Sequence, residues 1–76
     1  MEKKCFLTST IRRENDGFVS FCPELDIASQ GDTVEEAVYN LKEAVGLFFE
    51  CADDNEIKRR LPEEIYITHF EASYAT

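Results

Sequence analysis

Apolar and polar residues alternate along this chain with a period of two, then of about 3.6, then of two again, and the changes of period mark its elements. Cys5–Arg12 sets Cys5, Leu7, Ser9 and Ile11 against Phe6, Thr8 and Thr10, with the β-branched and aromatic content of a pleated surface, and predicts a first strand. Arg13–Gly17 gathers residues that tolerate left-handed or turn conformations and predicts a hairpin loop. Phe18–Cys22 resumes the strand until Pro23, which has no N–H to give a ladder, and predicts a second strand. Beyond the bend Pro23–Asp26, Ile27–Gln30 predicts a short third strand closing at Gly31.

At Thr33 the period lengthens. Thr33 with Glu36 three residues on is a capping box, in which each side chain takes a backbone N–H that a first helical turn leaves unpaired. Val34, Ala37, Val38, Leu41, Val45 and Phe48 follow at helical spacing, while Glu35, Glu36, Asn40, Lys42 and Glu43 fall mostly on the other side. The pattern predicts a helix from Thr33 to about Ala52 with one face on the sheet, its start favoured by Asp32, Glu35 and Glu36 beside the positive end of the dipole. Ile57–Leu61 predicts a short helical turn before Pro62. Glu64–Glu71 returns to period two, with Ile65, Ile67 and His69 against Tyr66, Thr68 and Phe70, and predicts a fourth strand ahead of a loose tail from Ala72. The order β-β-β-α-β defines an α+β fold, an antiparallel three-stranded meander plus one strand with a long helix packed on one face.

At 76 residues this is a single domain, 1–76, with an ordered core over about residues 4–71. A domain so small buries only about 60% of the surface of its unfolded chain. A hydrophobic share of 43%, with six Phe and three Tyr, still supplies a core. Apolar residues on both sides of the first and last strands leave a second sheet face to cover, so a homodimer or higher homo-oligomer is expected.

Charge narrows the partners. Sixteen acids against eight bases give a net charge of -8, a field that repels phosphate and favours a basic protein. Direct nucleic-acid binding is not expected. No apolar run approaches the ~20 residues that cross a bilayer, and the N-terminal MEKKCFLTST lacks the apolar stretch of a signal peptide, so no membrane partner and a cytoplasmic location are expected.

Catalytic chemistry finds little to build on. Cys5, Cys22 and Cys51 are odd in number, widely spaced and set among apolar neighbours, as small buried hydrophobes are. His69, the only histidine, falls on the Ile65 and Ile67 side of its strand with no nucleophile or orienting group beside it. The β-β-β-α-β order also opens the RNase H fold, whose nucleases hold two metal ions with acids on the first strand, the helix and the fourth strand; here the first strand has no acid, leaving Glu43 and Glu71 without a common site. Gly17, Gly31 and Gly46 are too far apart for a phosphate-cradling loop. Lys58-Arg59-Arg60 lies among Asp53, Asp54, Glu56, Glu63 and Glu64 and is expected to be solvated surface. No catalytic residue, metal or cofactor is expected. A small metal-dependent nuclease or other enzyme on this scaffold, or an orphan protein-binding module, remain as alternative readings.

Gly17-Phe18-Val19, Cys22-Pro23-Glu24-Leu25, Ser29-Gln30-Gly31-Asp32-Thr33, Glu36-Ala37 and Asn40-Leu41-Lys42-Glu43-Ala44, in that order and spacing, resemble the signature of the HicB antitoxin family across nearly half the chain. The resemblance implies a partial RNase H-like fold of sheet order 3-2-1-4 with the last strand parallel to the first. It also implies a non-enzymatic antitoxin that masks HicA, a small basic toxin that cleaves messenger RNA with a histidine. Many family members add a C-terminal DNA-binding domain; this chain stops six residues after Phe70, and promoter binding is not expected of it. By the family's pattern the partner-binding surface includes the bend at Pro23 and the exposed sheet, with Phe21, Pro23, Glu24, Leu25, Asp26 and the acidic Asp32 as its residues. Each has a competing structural use: Pro23 ends a strand, Leu25 fills a core and Asp32 favours a helix start.

Overall fold

A computed structural model describes residues 4–75. Three strands, β1 (Thr10–Glu14), β2 (Gly17–Cys22) and β3 (Ile27–Gly31), are followed by two helices, α1 (Val34–Cys51) and α2 (Asp54–Arg60). The strands form an antiparallel meander in the order β1-β2-β3, and α1 lies across one face, giving the α+β arrangement expected from the pattern.

The β1–β2 hairpin closes through Asn15 and Asp16, with Glu14 opposite Gly17 and Asn15 in the left-handed region at φ 54°. Pairing continues to Thr10 opposite Phe21. The first strand therefore occupies Thr10–Glu14 in place of Cys5–Arg12. The reason lies in β2, which ends at Cys22 where Pro23 begins the next bend, so residues 5–9 run past the last rung available to them.

Cys22 and Ile27 pair across the second turn, whose backbone is closed by the Leu25 and Asp26 N–H groups both donating to the Cys22 carbonyl at 3.3 and 2.9 Å. Asp26 takes φ 58°, a conformation that short polar side chains accept better than most. Along β2 and β3 the side chains alternate. Ser20 and Cys22 are buried toward α1, while Ala28 and Gln30 on β3 are exposed.

The predicted capping box forms at the start of α1. Thr33 Oγ1 accepts from the Glu36 N–H at 3.0 Å, and the Glu36 carboxylate reaches back to the Asp32 N–H at 2.7 Å. Ala37 and Leu41 are buried, with Val45, Phe48 and Phe49 half-buried around a core of Cys22, Leu25 and Leu41. The helix can lie this close because Gly31 has no side chain: a Cβ there would stand 2.6 Å from the Ala37 nitrogen. Ser20, fully buried, donates its hydroxyl to the Ala37 carbonyl at 2.7 Å and ties β2 to the helix.

Helix α2 begins at Asp53, whose carboxylate accepts from the Glu56 N–H at 2.8 Å, and it is longer than the turn predicted over Ile57–Leu61. Lys58, Arg59 and Arg60 are exposed, as expected of the basic cluster, but the last of them also makes a tie. Arg60 donates to the Leu25 carbonyl at 2.8 Å and lies over the Phe48 ring at 5.3 Å, so α2 is fastened to the β2–β3 turn.

The fourth strand predicted over Glu64–Glu71 has no ladder partner among the described residues. Residues 62–75 are exposed throughout, His69 included. An alternating sequence becomes a strand only where an edge receives it, and the chain leaves α2 without turning back to one. Among the described residues no helix is long and apolar enough to cross a membrane.

Candidate functional site

The six residues expected to meet a partner fall into two places. Phe21, Pro23, Glu24, Leu25 and Asp26 are contiguous in space at the end of β2 and in the β2–β3 turn. Asp32 lies beyond the far end of β3, about 17 Å away at the rise of a five-residue strand.

Because Ser20 faces the helix, its neighbours on β2, Val19 and Phe21, face away from it. Both are half-buried. Cross-strand partners on the same open face are Arg12 and Thr10 on β1, and Gln30 and Ala28 on β3. An apolar strip of Val19, Phe21 and Ala28 thus runs across a helix-free sheet face with polar residues at its borders. Val19 and Ala28 escaped the sequence reading, although the parity of Val19 with Phe21 would have placed it there.

In the turn itself the side chains divide. Leu25 is fully buried and belongs to the core, with its carbonyl taken by Arg60. Pro23 is half-buried and Asp26 is exposed, so these two are the turn's outward surface. Glu24 turns inward to the N-terminal segment: its two carboxylate oxygens accept the Thr8 N–H at 3.0 and 2.9 Å, and one also takes the Thr8 hydroxyl at 2.7 Å. A side chain thereby supplies the hydrogen bonds that β2 is too short to offer.

Two titrating groups record this packing. Desolvation acts to raise the Glu24 carboxyl, but the hydrogen bonds from Thr8, its own backbone N–H and the Cys22 thiol outweigh it and hold the group below the usual carboxylate range. Burial pushes the Cys22 thiol up, with the neighbouring Glu24 carboxylate adding to the effect. Cys22 is therefore protonated at neutral pH and a poor nucleophile. His69 is exposed on the tail and far from such a constellation.

Asp32 belongs to a separate groove at the hairpin end of the sheet. With Glu14, Asp16 and Glu36 it places four carboxylates around a volume of about 660 Å³ whose lining includes no Lys or Arg. Val19 and Gln30 line it too, which joins the groove to the open sheet face. Among the described residues no three His, Cys, Asp or Glu side chains converge as metal ligands. What the arrangement offers chemically is a contact surface, apolar along the strip and acidic at one end.

Comparisons with known proteins show what the chain is similar to. The chain is 43% identical over 63 residues to the UPF0150 protein ssl0738 of Synechocystis, a match covering 80% of this chain and 86% of the relative. A second Synechocystis protein, UPF0150 protein ssr1765, is 47% identical over 45 residues, 57% of each chain. An uncharacterized 14.9 kDa protein from the rep-hol intergenic region of Haemophilus phage HP1 is 39% identical over 64 residues. That match covers 80% of this chain and 48% of the phage protein, so the chain spans about half the length of that relative. No family model and no solved structure matches the chain.

Proposed function

The chain belongs to the UPF0150 protein family, and from that premise we propose that it is a non-enzymatic, antitoxin-like protein that binds and inhibits a small basic HicA-type toxin cleaving messenger RNA. The observation that carries the reading is the helix-free strip of Val19, Phe21 and Ala28, which at Val19 adjoins the groove at the hairpin end lined by Glu14, Asp16, Asp32 and Glu36. The HicB-like order of residues from Gly17 to Ala44 supports it from the sequence side.

The chemistry of the encounter follows from the surface. A net charge of -8 speeds approach of a cationic protein and fixes its orientation, the carboxylates meet its basic residues, and the apolar strip provides the desolvated centre. A basic nuclease docked in this way has its RNA-binding charge neutralised and its cationic surface covered. Inhibition then needs no catalytic group on this chain.

Co-purification with the product of the neighbouring reading frame, followed by an RNA-cleavage assay, is the test. The expected result is a stable complex and loss of cleavage, weakened by Phe21→Ser and by Asp32→Lys. Failure to bind or inhibit any HicA-like neighbour would sink the proposal.

A further inference from the structure

Residues 64–75 combine two properties that rarely go together. Glu64–Glu71 has the pattern of a strand, yet Tyr66 and Phe70 within it, and Tyr74 beyond it, are 79%, 88% and 85% exposed. The radius of gyration, 14.9 Å, exceeds the ~11 Å of a compact chain this long, and the molecule extends 53 Å in one direction against 28 and 16 Å in the others. A strand-like segment therefore stands away from the body that ought to bury it.

That body has a vacant place of matching form. β1 is an edge strand, paired on one side only, and residues 4–9 ahead of it have no strand partner among the described residues. Between this segment and α1 lies a groove of about 510 Å³, apolar over most of its lining, with Phe6, Leu7, Val38, Val45 and Phe49 among its walls. Gly46 opens its helix side, having nothing within 4 Å of where a Cβ would stand. An exposed edge beside an apolar groove is what an added strand covers.

We infer that Glu64–Glu71 is donated to a second copy of this chain, pairing with the open edge formed by residues 4–9 and β1 and setting Ile65 and Ile67 into the groove against Val45 and Phe49. The exchange is reciprocal, so the dimer closes on a two-fold axis and leaves no free edge at that side.

The hinge favours a second copy over the same chain. Arg60 and Leu61 anchor the end of α2 to the Leu25 carbonyl and the core, and Leu61 is extended at φ -79° and ψ 116°, as the residue before a proline is. Only Leu61, Pro62 and Glu63 separate the anchored helix from the donated segment. A hinge so short, with φ fixed at Pro62, carries the chain outward instead of reversing it, the condition under which strands are exchanged.

The proposal does not depend on the toxin-binding reading and is tested without a toxin. Light scattering of the full chain should give twice the chain's mass at micromolar concentration, and isotope-filtered NOEs in a mixture of labelled and unlabelled protein should connect Ile67 of one copy with Val45 of the other. Ile67→Lys, at an exposed position that leaves the body of each copy intact, should weaken the dimer by about tenfold or more, some 1.4 kcal/mol. A chain truncated before Glu64 should be a monomer. A monomeric full chain, NOEs within one copy only, an undiminished dimer in the Ile67→Lys protein, or a dimer that survives truncation would each overturn the inference.

Discussion

β2 and the Glu64–Glu71 segment have nearly the same sequence character, and one is the centre of the sheet while the other is exposed along its length. Each is a short run rich in aromatic and β-branched side chains. What differs is surroundings. β2 has a strand on either side and a helix above, so every rung and every inward side chain is satisfied within one chain. The C-terminal segment follows an anchored helix and a three-residue hinge that point it elsewhere. Strand propensity is a statement about a surface waiting for neighbours, and the neighbours decide.

The sharpest way to break the contrast is to damage the consolidated half. Leu25→Ala removes the largest fully buried side chain and should cost about 3 kcal/mol in denaturant unfolding. Gly31→Ala should follow at about 2 kcal/mol, because its Cβ meets backbone atoms of Glu36 and Ala37 that cannot swing aside. A Gly31→Ala protein of unchanged stability would mean that α1 is not seated on β3 as closely as described.

Glu24 and Arg60 are the ties between that half and the two ends of the chain. Glu24→Gln should cost about 1 kcal/mol and free the Thr8 amide to exchange with solvent, measurable by hydrogen exchange. The pH dependence has a defined sign. A carboxyl held below its unfolded value contributes stability above the ordinary carboxylate pKa of about 4.3, and that contribution is lost as pH falls through the folded value. The difference between the wild-type and Glu24→Gln proteins should therefore be full at pH 7 and vanish in strong acid.

The smallest effects separate two adjacent arginines. Arg60→Ala gives up the bond to the Leu25 carbonyl and the stacking on Phe48 and should cost about 1 kcal/mol. Arg59→Ala loses only an exposed pair with Glu56 and should stay within about 0.5 kcal/mol of wild type by thermal unfolding.

Much of this was legible in the residues, for reasons that can be named. The Thr33–Glu36 capping box, the helical spacing from Val34 to Phe48 and Pro23 after an apolar run are local signals, and local signals survived into the structure. The first strand was misplaced because its extent depends on the length of β2, a property of the partner. Glu24 was expected to face outward, since nothing in a lone glutamate announces that Thr8, sixteen residues earlier, will occupy both its oxygens. The tie made by Arg60 was hidden in a basic cluster whose members are all exposed. The candidate surface was found in part through Phe21, Pro23, Asp26 and Asp32, while its apolar centre emerged only once Ser20 had fixed which face looks away from the helix.

The burial of Cys22 gives the chain an internal clock. Its thiol, 1% exposed between sheet and helix and held protonated, is closed to a disulfide exchange reagent, whereas Cys5 and Cys51, expected from their apolar neighbours to be buried too, are exposed and open to it. Modification of Cys5 and Cys51 should be complete in the folded protein, and the later modification of Cys22 should keep time with the opening of the sheet from α1.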